Sequence, residues 1–198
     1  MTAPARKPAT YADLEAVPPH LVAEIIFGVL ETHSRPTVPH GVAATHLCYE
    51  LIGPFDRGRG GKGGWNFLPR IEFHFEGNVI VPDIASWRRE RLPQIPDVAF
   101  MTLAPDWVCE VVSPETARLD RGPKRAIYAK AGVSWLWLLD PKDRVLEAFQ
   151  LFDGQWRLVG VATGKDNIKL PPFDAVSFPF DDLFGFDPSP STDPTPQG

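Results

Sequence analysis

The sequence has only two cysteines, Cys48 and Cys109, among 198 residues. They are far apart and neither sits in a metal-type pair, so both read as buried free thiols of a reducing compartment. No apolar run approaches the length of a membrane span. The opening stretch MTAPARKPAT lacks the apolar core of a signal peptide. These absences predict a cytoplasmic protein with no membrane partner. His40 and His46 are not spaced to share a helix face as a zinc-type pair. His40 itself is open between a surface or capping residue and a ligand. The glycine-rich run 53–64 is no P-loop, because no Gly-Lys-Ser/Thr opens a helix after it. There is no internal repeat and no excess of positive charge. Net charge is −5. The stretch 181–198 holds Asp181, Asp182, Asp187 and Asp193 and no Lys or Arg, and removing those four leaves residues 1–180 at −1. Charge therefore neither supports nor excludes a phosphate-bearing partner.

What is present is an ordinary globular composition, 43% hydrophobic and 23% charged, long enough for one domain with a sizeable core. Residues 1–9 read as a flexible leader, 10–186 as a single domain, and 187–198 (DPSPSTDPTPQG) as a disordered tail. Thr10 caps a short helix over 11–16. Two strands follow, 22–26 and 29–33, as a hairpin about Phe27-Gly28. Residues 40–52 read as a helix. Residues 65–75 and 78–87 read as two long strands joined at Gly77-Asn78, the second holding Asp83. The stretch 107–112, bounded by Pro105 and Pro114, reads as a buried strand. The helix after it has Pro123 in its first turn and ends at Gly132. A buried strand over 134–139 and a hairpin about Asp153-Gly154 complete the pattern. Trp107, Trp135 and Trp137 read as core, while Trp65 and Trp87 stay open.

Three lone carboxylates stand in apolar strands: Glu24, Asp83 and Glu110. A buried charge is costly unless paired or metal-bound. One shared reason is a divalent cation held by hard oxygens, with the carbonyl of Val111 or Val112 as a further ligand. Asp120, Lys124 and Tyr128 are four residues apart and share a helix face. Lys124 could then orient a water or stabilise developing negative charge. The competing reading pairs Asp83 and Glu110 with Arg88, Arg118 or Arg121. It leaves Glu24 as an outward edge residue. Spacing alone keeps both readings open.

The order of these pieces resembles the Uma2 family, also called DUF820, within the PD-(D/E)XK restriction-endonuclease-like superfamily. The matching stretches are VPDIA at 81–85, PDWVCEVVSP at 105–114, DRGPKRAIYAKAGV at 120–133 and WLLDP at 137–141. AEIIFGVL at 23–30 resembles the family's N-terminal segment. The resemblance implies an α/β (α+β) fold with a central mixed β-sheet flanked by helices and an N-terminal hairpin. It implies a metal-dependent endonuclease using Mg2+ or Mn2+, with DNA as substrate. Carried over by position, Asp83, Glu110 and the Val111 carbonyl are metal ligands, Glu24 an accessory acid and Lys124 the lysine. Asp120 and Tyr128 are supporting residues, and His40 matches a frequent histidine. Two departures stand out. Val112 occupies the superfamily's usual lysine position, and Phe27-Gly28 replaces the family's Asp-Gly turn. An interaction module on the same fold, binding nucleic acid or protein, is the alternative, and a hydrolase of smaller phosphoesters is a third reading. A homodimer through an exposed strand or the 168–184 segment is left open.

Overall fold

The computed structural model describes residues 7–185. Residues 1–6 of the expected leader and the expected tail lie outside them. Two mixed sheets carry the fold, with helices packed on and between them. The first holds five strands and the second six.

The chain opens with α1 (Tyr11–Glu15), closed by a capping box between Thr10 and Asp13. Strands β1 (Leu21–Ile26) and β2 (Val29–Ser34) form the expected hairpin. Phe27 and Gly28 both take positive φ, 50° and 75°, the backbone of a two-residue type I′ turn. Phe27 is a poor residue for that conformation, but it preserves the turn length and so the register that places Glu24. Helix α2 (Val38–Leu51) follows, with Pro39 near its start, and runs into a π-helical turn at Ile52–Asp56. The glycine-rich loop is thus shorter than the sequence pattern suggests.

The largest correction concerns the two long strands. Residues 65–75 are β3 (Trp65–Pro69) and β4 (Glu72–Phe75), and residues 78–87 lie in β5 (Asn78–Ile80) and β6 (Ile84–Arg88). Strands β3 and β6 pair in the large sheet, while β4 and β5 pair in the small one. Both chains bend at the same level. Arg70 takes φ 50° directly after Pro69. In the other strand, just before the Asp83 that faces Arg70, Pro82 has no N–H to give to a ladder. The corner is tied by Arg70 N–H donating to the Asp83 carbonyl at 3.1 Å. Asp83 therefore sits at a corner between sheets, not inside a strand. The turn between β4 and β5 is Glu76-Gly77, one residue earlier than expected, because these two take positive φ.

Strand β7 (Phe100–Met101) joins the edge of the small sheet. Strand β8 (Trp107–Val111) is parallel to β9 (Trp135–Asp140), and the crossover between them is helical. That crossover starts earlier than expected, as α3 (Ala117–Leu119). It widens into a π-turn over Asp120–Lys124 and continues as α4 (Arg125–Lys130). Pro123 lies inside the wide turn, where its missing N–H interrupts the ordinary ladder. Strands β10 (Val145–Phe152) and β11 (Gln155–Thr163) form the last long hairpin. A short pair, β12 (Asn167–Ile168) and β13 (Phe178–Pro179), leads to a 3-10 turn at Phe180–Phe184.

Both faces of the β8–β9 pair are covered, which explains their unbroken apolar sequence. Trp107, Cys109, Val111, Trp137 and Leu139 pack with α2 and Phe173, Phe178 and Phe180. Val108, Val112, Leu136 and Leu138 pack on the other face with Ile127 and Tyr128. Glu110 shares the second face by alternation. Trp65 and Trp87 are buried as well.

Candidate active site

Backbone breaks at the sheet corner leave N–H groups that need acceptors. The carboxylates meet them. Val81 N–H donates to Glu24 Oε1 at 2.7 Å, and Val111 N–H donates to Asp83 Oδ2 at 2.9 Å. The Val111 carbonyl turns to the same edge of β8 as its N–H, toward Asp83. Glu24 and Asp83 are thus fixed by main chain before any ligand is considered.

Lys124 fills the space between them. Its Nζ lies 2.9 Å from Glu110 Oε1, 3.1 Å from Glu24 Oε1 and 3.5 Å from Asp120 Oδ1. The π-turn makes this reach feasible, because it sets Asp120 and Lys124 over β8. The hydroxyl of Tyr128, one turn further on, donates to Glu110. His40 Nε2 and Arg70 Nη1 each lie 3.2 Å from Asp83, on opposite oxygens. His33 Nε2 stands 4.0 Å from Glu24 Oε2. Glu24, His40, Asp83, Glu110, Asp120, Lys124 and Tyr128 are all buried. Glu24 is 2% exposed, so it is not the outward edge residue that spacing allowed.

The arginines of the competing reading are engaged elsewhere. Arg118 pairs with Glu31, Arg121 with Glu147 and Asp140, and Arg88 lies over the Trp65 ring. Sequence reasoning missed Arg70 and His33. The available signal for Arg70 was a charge directly after Pro69, where strand alternation breaks.

Charge balance sets the protonation. Burial alone would lower the pKa of Lys124, but Glu110 and Glu24 outweigh it and hold it well above the usual lysine value. Lys124 is therefore a cation at neutral pH. Burial pushes Glu110 well up, against the pull of Lys124 and with the repulsion of Asp120, Asp83 and Glu24. Burial also raises Asp120. Asp83 moves down, because His40, Lys124 and the Val111 N–H together exceed the burial cost.

The oxygen chemistry suits a small divalent cation, since Mg2+ is commonly held by one or two carboxylates with water completing the shell, and Asp83 and Glu110 are donors of that kind. Among the described residues no group of three or more His, Cys, Asp or Glu side chains converges as a metal site. The cluster is closed by Lys124 instead. A cavity of about 20 Å3 remains, lined by Asp83, Glu110, Asp120 and Lys124 among others. That is room for one water-sized species.

The family model of Uma2, described as "Putative restriction endonuclease", matches residues 8–181. The chain belongs to the Uma2 family. Among solved structures, the crystal structure of a "putative nuclease belonging to DUF820" from Anabaena variabilis superposes with a TM-score of 0.70 at 20% identity. The match covers 89% of this chain and 98% of that one, and it shows a shared fold. No curated protein matches the chain. Uma2 membership supports nuclease function for this chain. No helix among the described residues is long and apolar enough to cross a membrane.

Proposed function

We propose that this Uma2 chain is a Mg2+- or Mn2+-dependent endonuclease that hydrolyses phosphodiester bonds of DNA. The observation that carries the reading is the meeting of Lys124 with Glu110 and Glu24 beside Asp83, from three separate parts of the chain. Asp83, Glu110 and the Val111 carbonyl would hold the ion. When bound, it would supply Lewis acidity at the phosphoryl group and favour ionisation of the attacking water.

The chain's own residues do the rest. Lys124, kept cationic, orients the water and stabilises negative charge gathering on the phosphoryl oxygens. Glu24 positions Lys124 and ties it to the Val81 N–H. Tyr128 and Asp120 hold Glu110 and Lys124 in place. His40 and Arg70 fix the Asp83 carboxylate from two sides.

A second reading, an interaction module, draws on the closed state of the cluster, in which Lys124 engages Glu24, Glu110 and Asp120. The two readings separate on supercoiled plasmid. The nuclease nicks it with Mg2+ or Mn2+, and Asp83→Ala and Lys124→Ala lose that activity. Wild type nicking no faster than these variants removes the nuclease reading for DNA. Salt-sensitive, metal-independent binding without nicking supports the module.

A further inference from the structure

The acid cluster has a second, larger space beside it. A cavity of about 400 Å3 lies between α2 and the sheet corner, lined by Arg35, Gly41, Ala44, Cys48 and Ile84. It adjoins the small cavity at the acids, because Pro36, His40, Arg70 and Asp83 line both. Its volume is that of a site for one small ligand. Its lining is largely apolar, with Arg35 and Arg70 among the lining residues; the Arg35 guanidinium donates to the Pro19 carbonyl and that of Arg70 to Asp83.

Gly41 lines this space from α2. It sits inside α2, where glycine costs about 1 kcal/mol relative to alanine. Its φ is not positive, and a Cβ built there meets nothing within 4 Å. Neither backbone conformation nor packing requires glycine at this position. It is exposed, and it leaves the α2 side of the cleft without a side chain at that point.

Arg70 is held in a strained backbone conformation, φ 50°, with its side chain 43% exposed and on Asp83. The corner between the sheets enforces this conformation, through the Arg70 N–H bond to the Asp83 carbonyl, and so fixes where the side chain starts. An Arg so placed suits a phosphate, which it can grip with two parallel hydrogen bonds.

We infer that this cavity receives one unpaired nucleotide, whose phosphate Arg70 binds at the edge of the acid cluster. The inference rests on the nuclease reading and names its substrate class. Asp83 and Glu110 are buried, and the space directly at them admits only a water-sized species. A phosphate that reaches Asp83 therefore brings its own nucleoside into the adjoining cavity. A stacked base pair, with its partner strand, does not fit a space for one small ligand. Single-stranded or frayed nucleic acid does, since its unstacked bases are free to be taken up and can lie against a guanidinium plane.

The test uses the full chain in chelator, with fluorescein-labelled oligothymidylate and a duplex of the same length, read by anisotropy. The strand is expected to bind at least about tenfold more tightly than the duplex. Gly41→Leu, whose side chain points into open space and leaves the core untouched, removes that preference, whereas Gly41→Ala retains it. Arg70→Met weakens strand binding more than duplex binding. Equal binding of strand and duplex, no strand binding, or a preference that survives Gly41→Leu in a variant with wild-type melting overturns the inference. Cleavage with Mn2+ is scored separately. A strand bound with these dependences but never cut removes the nuclease reading and leaves the cavity assignment. Equal cutting of strand and duplex, unaffected by Gly41→Leu, does the reverse.

Discussion

Lys124 and Glu110 meet at 2.9 Å with both side chains almost fully buried. The strand supplies the acid and the crossover helix supplies the lysine. Val112, two residues after Glu110, lies on the same face but is packed among Leu119, Ile127 and Leu138. The cation that pairs with Glu110 thus comes from the crossover helix and not from the strand.

Removing Lys124 leaves three carboxylates buried without their shared cation. Lys124→Met should cost about 3–5 kcal/mol at neutral pH. The loss should shrink as pH falls and the acids take up protons. Urea denaturation at two pH values measures it. Loss of less than about 1 kcal/mol at neutral pH would mean that the pairing contributes little.

Asp120 gives a pH prediction with a definite sign. Its pKa is raised in the fold, by burial first, against the attraction of Lys124. The unfolded chain therefore releases this proton at lower pH than the native one, and the wild type loses stability as pH rises above about 4. Asp120→Asn does not titrate. It should match the wild type near pH 4 and become the more stable of the two as pH rises toward 7. Lower stability of the Asn variant at neutral pH would show that the Lys124 contact outweighs burial.

The hairpin before the site carries an avoidable strain. Phe27 is 58% exposed and takes φ 50°. Asn is the preferred residue there in a type I′ turn before glycine. Phe27→Asn should raise the melting temperature, through about 0.5–1 kcal/mol of added stability. An unchanged or lower value in a thermal scan contradicts the turn assignment.

Gly41→Ala offers a second gain of similar origin. The position is helical and open, so about 0.5–1 kcal/mol of stability should follow. Thermal melting measures this too, and destabilisation would show an unrecognised contact at that point.

The sequence pattern carried the elements that local chemistry specifies. The Thr10 cap, the Phe27-Gly28 and Asp153-Gly154 turns and the apolar β8 and β9 are all present in the fold. The lone acids were visible because burial of a charge is expensive. The corner at Pro69-Arg70 and Pro82-Asp83 was less legible. Apolar alternation continues through it, and only the pairing partners reveal that the strand changes sheet. Arg70 and His33 joined the site for the same reason, since both arrive by tertiary contact. The early start of the crossover helix was hidden by Gly122-Pro123, which signals a helix start yet lies in a π-turn.

The central claim is that Asp83 and Glu110, closed by Lys124 here, hold a divalent cation. Titration of Mn2+ into the full chain, with free Mn2+ read by electron paramagnetic resonance, tests it most directly. The wild type should bind one ion, and Asp83→Asn should bind it at least about tenfold more weakly while melting as a folded protein. No Mn2+ uptake by the wild type, or equal uptake by Asp83→Asn, would contradict the account.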